Sequence, residues 1–339
     1  MRPGARLQFD GREITAWLIP ASGAERARLS GGLISLSVTD EAGFKSDSVE
    51  FTIDDIDRHK APTKGAELKV WLGWEPQPLY MGRFKVDSWR KTGPRRTLSV
   101  SASAAELTTA IRAAKSRAWD DKTLGEIARK VAAEHGLTPA IHAEVEGIRI
   151  PHIDQQHESD LAFLQRLATR NGSVFKVADG RLMLTRKNAK TLPSGAAKGS
   201  AILRPSDVSD WTFESTARGD YKAVVTSYRD DATGERKTAT AGDKRSKLKH
   251  RDRRLYGSQA EAEEAARAQL RDYQRGKKTV DINAPGLPII FAEGEVTLVD
   301  FDPDIDGTFR VRSVRHTLDS SGFRSSLALE SGEEEEAEV

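Results

Sequence analysis

Residues 82–90, Gly-Arg-Phe-Lys-Val-Asp-Ser-Trp-Arg, return near the other end of the chain as Gly-Thr-Phe-Arg-Val-Arg-Ser-Val-Arg at 307–315. Five positions are identical, and a sixth exchanges Lys for Arg. Both copies alternate polar and apolar residues, as half-buried strands do. Strand-like runs precede them at 67–72 and 295–301, and others follow at 97–102 and 325–330. The matched order predicts one β-unit present twice.

The repeat makes a positional prediction. If the β-unit is duplicated, paired residues occupy equivalent strand positions in two superimposable domains. A chance likeness between two alternating strands is the alternative. The predicted pairs are Gly82 with Gly307, Phe84 with Phe309, Val86 with Val311, Ser88 with Ser313, and Arg90 with Arg315.

Composition excludes several classes of protein. The chain has 339 residues, enough for roughly two or three domains with their own cores. It has no cysteine, so disulfides, thiolate metal sites and cysteine nucleophiles are excluded. Residues 1–10 lack the apolar core of a signal peptide, and no apolar run is long enough to cross a bilayer, so we expect no membrane anchor. The net charge of +2 argues against nucleic-acid binding by overall charge.

The order of patterns predicts the domain organisation. Alternating runs separated by glycines predict an antiparallel β-barrel domain over 1–104. A smaller α/β middle domain is expected over 105–190, and a second β-barrel domain over 191–331. The fold class is therefore mainly β with α insertions (α+β), followed by an acidic, disordered tail at 332–339.

Helical signals are concentrated in two places. In the middle domain, an apolar stripe predicts a helix at 123–132 that is capped by Asp121 or Thr123. A second helix is expected to begin at Ser159-Asp160 and to lead into a hairpin that turns at Asp179-Gly180. The second barrel domain carries an alanine-rich helix predicted at 258–275.

Four tryptophans offer large apolar surfaces. They either close a sheet on itself as core residues or anchor a contact with another subunit, and the core role is favoured. These candidates are Trp71, Trp74, Trp89 and Trp211.

The sequence carries no pattern typical of an enzyme. A glycine-rich phosphate loop and a Gly-x-Ser-x-Gly nucleophile motif are both missing. His152 and His157 are the one close pair of histidines, and their spacing places them on different faces of a helix or strand. We therefore predict no catalytic residue, no cofactor and no metal. His135 is expected to cap a helix, and His316 to form a hydrogen bond at the end of a strand.

An alternating aspartate cluster resembles a calcium loop. Its twelfth position is Val311 rather than an acid, and strands rather than helices flank it, so a solvated loop is expected. The cluster consists of Asp300, Asp302, Asp304 and Asp306.

The basic segment 230–254 is expected to be a mobile surface loop or a segment that docks a partner. It contains many Lys and Arg residues but no aromatic residue before Tyr256 on which bases could stack. The sequence therefore argues against a nucleic-acid partner.

A different stretch carries a family resemblance. Residues 156–168, Gln-His-Glu-Ser-Asp-Leu-Ala-Phe-Leu-Gln-Arg-Leu-Ala, are followed by Asn171-Gly172 and the hairpin through Gly180. This stretch resembles the phage late control protein D family, whose members are tail baseplate hub proteins. The resemblance covers roughly residues 100 to 330 and continues through the alanine-rich helix, Pro285-Gly286, 294–298, Asp306-Gly307 and 314–318.

The resemblance implies a structural role. Family members are similar to the hubs of T-even and Mu-like phages and to the amino-terminal part of type VI secretion VgrG spikes. The likeness implies a homotrimer in which each chain has two barrels related to the tail tube, so that a threefold spike can meet a sixfold tube. Implied partners are further copies of the chain, a tail spike protein and a tail tube protein, with the tape measure and other baseplate proteins as additional candidates.

The same resemblance places the protein in the virion tail after assembly in the bacterial cytoplasm. The helix at 123–132 is also similar to half of a LysM element, although the full sugar-binding module is not evident. Two other functions stay open: a peptidoglycan-degrading hydrolase of the tail and a DNA-binding regulator.

Overall fold

The fold is mainly β, as the alternating patterns predict: of the residues that the structure describes, 57% lie in strands and 16% in helices. The predicted tail at 332–339 lies outside the residues that can be described. The computed structural model describes residues 2–10, 12–14, 32–43, 46–56, 58–104, 109–178, 180–186, 200–216, 221–230, 233–274 and 278–331.

In the part of the chain that the structure describes, seven strands form the first module. Their inward-facing residues, among them Val49, Phe51 and Phe84, are buried in one apolar cluster, which is why these segments alternate in sequence. The strands are β1 (Pro3–Phe9), β2 (Arg12–Ile14), β3 (Leu33–Glu41), β4 (Ser48–Asp54), β5 (Glu67–Trp74), β6 (Leu79–Thr92) and β7 (Thr97–Ser103).

A middle unit with its own apolar cluster follows. Its elements are α1 (Thr109–Arg112), β8 (Ala114–Thr123), α2 (Leu124–Glu134), β9 (Thr138–Ile141), α3 (Ala143–Glu146), β10 (Arg149–Ser159), α4 (Asp160–Arg170), β11 (Ser173–Ala178) and β12 (Arg181–Arg186).

Local signals set the helices of the middle unit. Thr123, one of the two predicted caps, accepts a hydrogen bond from the Glu126 amide, and the Glu126 carboxylate accepts one from the Thr123 amide. Ser159 caps α4 by accepting from the Ala162 amide. The sequence pattern did not predict strand β10, because a bulge between Gln155 and Glu158 interrupts its alternation of buried and exposed residues.

The basic segment 230–254 is not a mobile loop, and that alternative is wrong over most of its length. Its residues form strands that flank β15 (Ala223–Arg229) on both edges, and α5 (Gln259–Gln274) packs on this small sheet through buried alanines. The hydroxyl of Thr226 donates to the carbonyl of Ala262 at 2.8 Å. After β13 (Ser200–Leu203) and β14 (Asp210–Ser215), this inserted unit comprises β15 (Ala223–Arg229), β16 (Arg236–Gly242), β17 (Lys249–Tyr256) and α5 (Gln259–Gln274).

The remaining strands complete a second module with β13 and β14. They are β18 (Lys278–Pro285), β19 (Glu295–Leu298), β20 (Gly307–Asp319) and β21 (Gly322–Ser331). Both modules belong to one sheet, which has 13 strands among the described residues. Its main path runs β14-β18-β21-β20-β3-β4-β7-β6-β5-β1-β2, and β19 joins β20 to β13. The modules meet where β20 pairs with β3.

Two separate closed barrels were expected, and the strand pairing differs. In the described part of the chain no sheet closes on itself. The physical reason is the length of β20: its first residues pair with β19, but its second half runs on and pairs with β3 of the other module. Among the described helices, none has the length and apolar character needed to span a membrane.

Candidate functional site: the edges of the long sheet

The two repeat copies have the same pairing register. In the first module Phe84 lies opposite Leu68 and Gly82 opposite Val70. In the second, Phe309 lies opposite Val296 and Gly307 opposite Leu298. Both glycines have a positive φ, +130° at Gly82 and +147° at Gly307, which side chains rarely adopt.

A bulge follows at the same point of both copies. The register of β6 on β7 shifts between Val86 and Ser88, and that of β20 on β21 shifts between Val311 and Ser313. The carbonyl of Val86 accepts from the Gly65 amide at 2.8 Å, and the carbonyl of Val311 accepts from the Glu293 amide at 2.9 Å.

The correspondence extends across each module to its far strand. Val49 lies between Ala102 and Val38 in the first module, whereas Val280 lies between Leu329 and Phe213 in the second. Val38 and Phe213 are therefore equivalent, and so are the residues two positions before them, Leu36 of β3 and Trp211 of β14. The superposition of the two modules as whole domains stays a prediction.

The modules also differ. Strand β1 runs antiparallel to β5, whereas β13 runs parallel to β19. The second module also carries the inserted unit between β14 and β18, where the first has only residues 42–47 between β3 and β4.

The pairing of β20 with β3 will be called the internal junction. It places Leu318 opposite Leu36 and Arg315 opposite Thr39, whose hydroxyl lies 3.2 Å from the Arg315 Nε. Leu318 and Phe323 of the second module belong to the apolar cluster of the first. The two modules therefore share a core at this point.

Side chains reinforce the internal junction. The indole of Trp74 donates to the carbonyl of Gly286 at 3.0 Å and meets the ring of Phe323 edge-on, with centroids 5.4 Å apart. His316 is buried inside β20, three residues before the strand ends at Asp319. It forms the expected hydrogen bonds, through ring nitrogens that contact Ser325 Oγ and the Ile290 carbonyl. Burial lowers the pKa of His316, so the ring is held neutral.

A charged cluster ties the middle unit to both modules. The ammonium of Lys176 lies 2.9 Å from an oxygen of Asp40 and 2.6 Å from one of Asp47. The other Asp40 oxygen accepts from the Ala292 amide of the second module at 2.8 Å. Sequence reasoning missed this cluster because Lys176 lies more than a hundred residues from its partners, and no local motif marks it.

Burial and charge set the protonation of this cluster. Burial, and then the neighbouring charge of Asp40, raises the pKa of Asp47 to about 7. Burial opposes the charge of Asp40, but Lys176 outweighs it and lowers the pKa of Asp40. The two carboxyl groups therefore titrate as a pair around one cation.

The four candidate tryptophans lie in different surroundings. Trp74 packs against the core of the first module, and half-buried Trp71 lies against Tyr80 with ring centroids 5.2 Å apart. Trp89 on β6 is 45% exposed, and Trp211 on β14 is 40% exposed. Trp89 and Trp211 are thus on the surface, and their interface role stays a prediction.

Glu134, His135 and Asp160 come close enough to suggest a metal site. The carboxylate oxygens of Glu134 and Asp160, however, already bind cationic side chains: Lys115 and Arg117 each contact both carboxylates at 2.5 to 2.9 Å. Burial opposes ionisation of Asp160, but the hydrogen bonds of Lys115 and Gln155 outweigh it and lower its pKa. This arrangement is an ion-pair network. His135 ends α2 with its backbone, while its ring contacts Asp160.

The aspartate cluster forms a self-contained loop. The Asp306 carboxylate accepts from the amides of Asp300, Phe301 and Asp302 at 3.2, 2.9 and 3.4 Å. Asp306 thus organises a turn between β19 and β20, in line with the expected loop between strands. The close pair of histidines makes separate contacts. The ring of His152 contacts the carboxylates of Asp120 and Asp154, and the backbone amide of His157 donates to the Ser116 hydroxyl.

The chain matches a known protein family and a known relative. The family profile described as phage tail baseplate hub (GPD) matches residues 48–322. The probable baseplate hub protein of Escherichia phage 186 is 29% identical over 373 residues, covering 97% of this chain and 93% of the relative.

Two solved structures share the fold. The tail protein from Neisseria meningitidis MC58 matches with a TM-score of 0.73 and 16% identity, over 98% of this chain and 97% of that one. The E. coli c3393 protein, a component of the type VI secretion system, matches with a TM-score of 0.60 and 11% identity, over 97% of this chain and 77% of its own.

Proposed function

Because the chain belongs to the phage tail baseplate hub (GPD) family, we propose that three copies of it form a ring that joins a sixfold tail tube to a threefold spike. As a baseplate hub protein, it is a structural component of the virion tail. The proposed direct partners are further copies of the chain, the tail spike protein and the tail tube protein, with assembly in the host cytoplasm.

One observation carries the proposal: five strands of each module, β5-β6-β7-β4-β3 in the first and β19-β20-β21-β18-β14 in the second, have the same order and register. A closed ring of identical chains has the symmetry of its number of copies. When each chain supplies two similar modules, a threefold ring presents six similar units. We propose that these modules are the tail-tube-like domains expected at 1–104 and 191–331, and that strands of a neighbouring module complete each barrel.

We also propose that the protein makes and breaks no covalent bond. Glu134 and Asp160 are two acidic side chains that lie close together. Burial opposes their ionisation, but hydrogen bonds outweigh it and lower both pKa values, from Lys115 and Arg117 at Glu134 and from Lys115 and Gln155 at Asp160. A general acid requires a raised pKa. Asp47 has one, but it binds Lys176 and the Glu41 amide between packed elements.

The mass of the protein in solution tests whether three copies form a ring. Light scattering on the purified chain, alone and mixed with its spike protein, is expected to show a trimer. A strict monomer at all concentrations, with and without the spike, would overturn the proposal. In parallel, dye release from labelled peptidoglycan is expected to stay at background.

A further inference from the structure

We infer that residues 88–92 of β6 in one copy pair antiparallel with β14 of the next copy, so that the internal junction is repeated between subunits. This inference rests on the proposed ring and adds to it the strands that meet and their register. A second copy of the chain is therefore the partner of both edges.

The two edges are open in the described residues. Among these residues, β14 pairs with β18 alone. On the side of β6 that faces β5, backbone pairing ends at Val86, which forms hydrogen bonds with Gly65 and Ala66. The corresponding edges of β3 and β20 pair with each other at the internal junction. Open strand edges readily accept another strand through backbone hydrogen bonds.

Side chains at the open edges of β6 and β14 are more exposed than their equivalents at the internal junction. At the internal junction, Val314 of β20 and Leu36 of β3 are both fully buried. Their counterparts, Trp89 and Trp211, are 45% and 40% exposed. Large apolar side chains thus lie on the surface at the two positions whose equivalents are covered by a neighbouring strand, which is the pattern expected of an interface seen without its partner.

The register of β20 on β3 at the internal junction predicts the register of β6 on β14 between subunits. It places Val314 opposite Asp40, Arg315 opposite Thr39, His316 opposite Val38 and Thr317 opposite Ser37. Replacing each residue by its counterpart in the other module gives the pairs between subunits: Trp89 opposite Ser215, Arg90 opposite Glu214, Lys91 opposite Phe213 and Thr92 opposite Thr212.

This register is complementary on both faces of the sheet. Because side chains alternate, Trp89, Phe213 and Trp211 fall on one face, the face on which the internal junction buries its apolar residues. Arg90 and Glu214 fall directly opposite each other on the other face, where opposite charges attract. A slip by one residue would bring Arg90 against Phe213 or Ser215 and lose both matches.

Cysteine cross-linking tests the register, since the natural chain has no cysteine. One chain carries Arg90→Cys, a co-expressed chain carries Glu214→Cys, and a disulfide between them can form only between subunits. Paired residues in antiparallel strands have Cα atoms about 4.5–5.5 Å apart, within the range of about 4.4–6.8 Å that a disulfide needs. The matched control combines Arg90→Cys with Thr212→Cys, a diagonal pair about 7–8 Å apart.

After mild oxidation, we expect a linked dimer on non-reducing gels for positions 90 and 214, at least about tenfold above the diagonal control. A trimer by light scattering without this link, or with equal linking of the control, would overturn the register but leave the ring. A monomer alone and with the spike would overturn both.

A charge exchange covers the case in which cysteines prevent assembly. Arg90→Glu and Glu214→Arg are each expected to weaken the trimer, and the double variant to restore it. If the double variant is as weak as the single variants, the two residues do not face each other and the inference fails.

Discussion

Trp89 and Val314 occupy matching positions of the two modules, opposite Val100 and Leu327 respectively, yet Trp89 is 45% exposed and Val314 is fully buried. The difference has one structural cause. Val314 lies next to β3, whereas no described strand lies on the corresponding side of Trp89. Equivalent positions that differ in burial are expected when one junction forms within the chain and the other forms only with a second copy.

Truncations at the two junctions should therefore separate folding from assembly. Leu318→Ala removes a buried side chain of the shared core and is expected to lower the free energy of unfolding by about 2–5 kcal/mol. Trp89→Ala is expected to lower the unfolding free energy of the monomer by less than Leu318→Ala does, because nearly half of the Trp89 side chain is exposed. Urea titration measures both, and light scattering should show a weaker trimer for Trp89→Ala.

The repeat glycines should be equally sensitive. Gly82→Ala and Gly307→Ala place a side chain at a positive φ, and each is expected to destabilise the fold by about 1–3 kcal/mol. Gly147→Ala is the control, because its φ is ordinary and a Cβ there would meet no atom within 4 Å. A large loss at one repeat glycine and none at the other would contradict equivalent roles.

Lys176 should be required for the fold of the whole chain. Lys176→Met leaves Asp40 and Asp47 facing each other without their cation, and we expect a loss of about 3–5 kcal/mol in the free energy of unfolding. Thermal melts would show this loss, whereas exposed Lys64→Met should stay within about 0.5 kcal/mol of the natural chain. A mild effect at Lys176 would mean that the cluster does not tie the middle unit to the modules.

Asp47 should give stability a characteristic pH dependence. Its pKa is about 7 in the folded chain against 3.8 for an ordinary Asp, so the folded state binds the proton more tightly. The resulting stabilisation is fully present below about pH 4 and is lost as the pH rises to about 7. Relative to Asp47→Asn, the natural chain should thus lose unfolding free energy from pH 4 to 7 and change little above it. A constant difference across this range would show that the pKa of Asp47 is not raised.

Sequence reasoning found the features that are local. The alternation around Phe84 and Phe309, the Thr123 cap and the Ser159 cap are each written in a few neighbouring residues, and the structure contains the corresponding strands and helices. The family resemblance rested on a similar short stretch, 156–168, and the family is confirmed.

Features made by distant residues were missed or misjudged. The internal junction pairs β3 with β20, and the Lys176 cluster spans three parts of the chain, so neither leaves a local pattern. The basic segment lacks the apolar alternation that indicates strands, because its charged residues face outward and small residues such as Ala239 make the contact with α5.

A three-dimensional electron-microscopy reconstruction of the purified ring bears most directly on the proposed role. Six modules should surround a central channel, with internal β20–β3 junctions alternating with β6–β14 junctions between subunits, and Phe84 and Phe309 should superimpose from one module to the next. A trimer in which β6 and β14 face solvent, or in which the two modules do not superimpose, would contradict it.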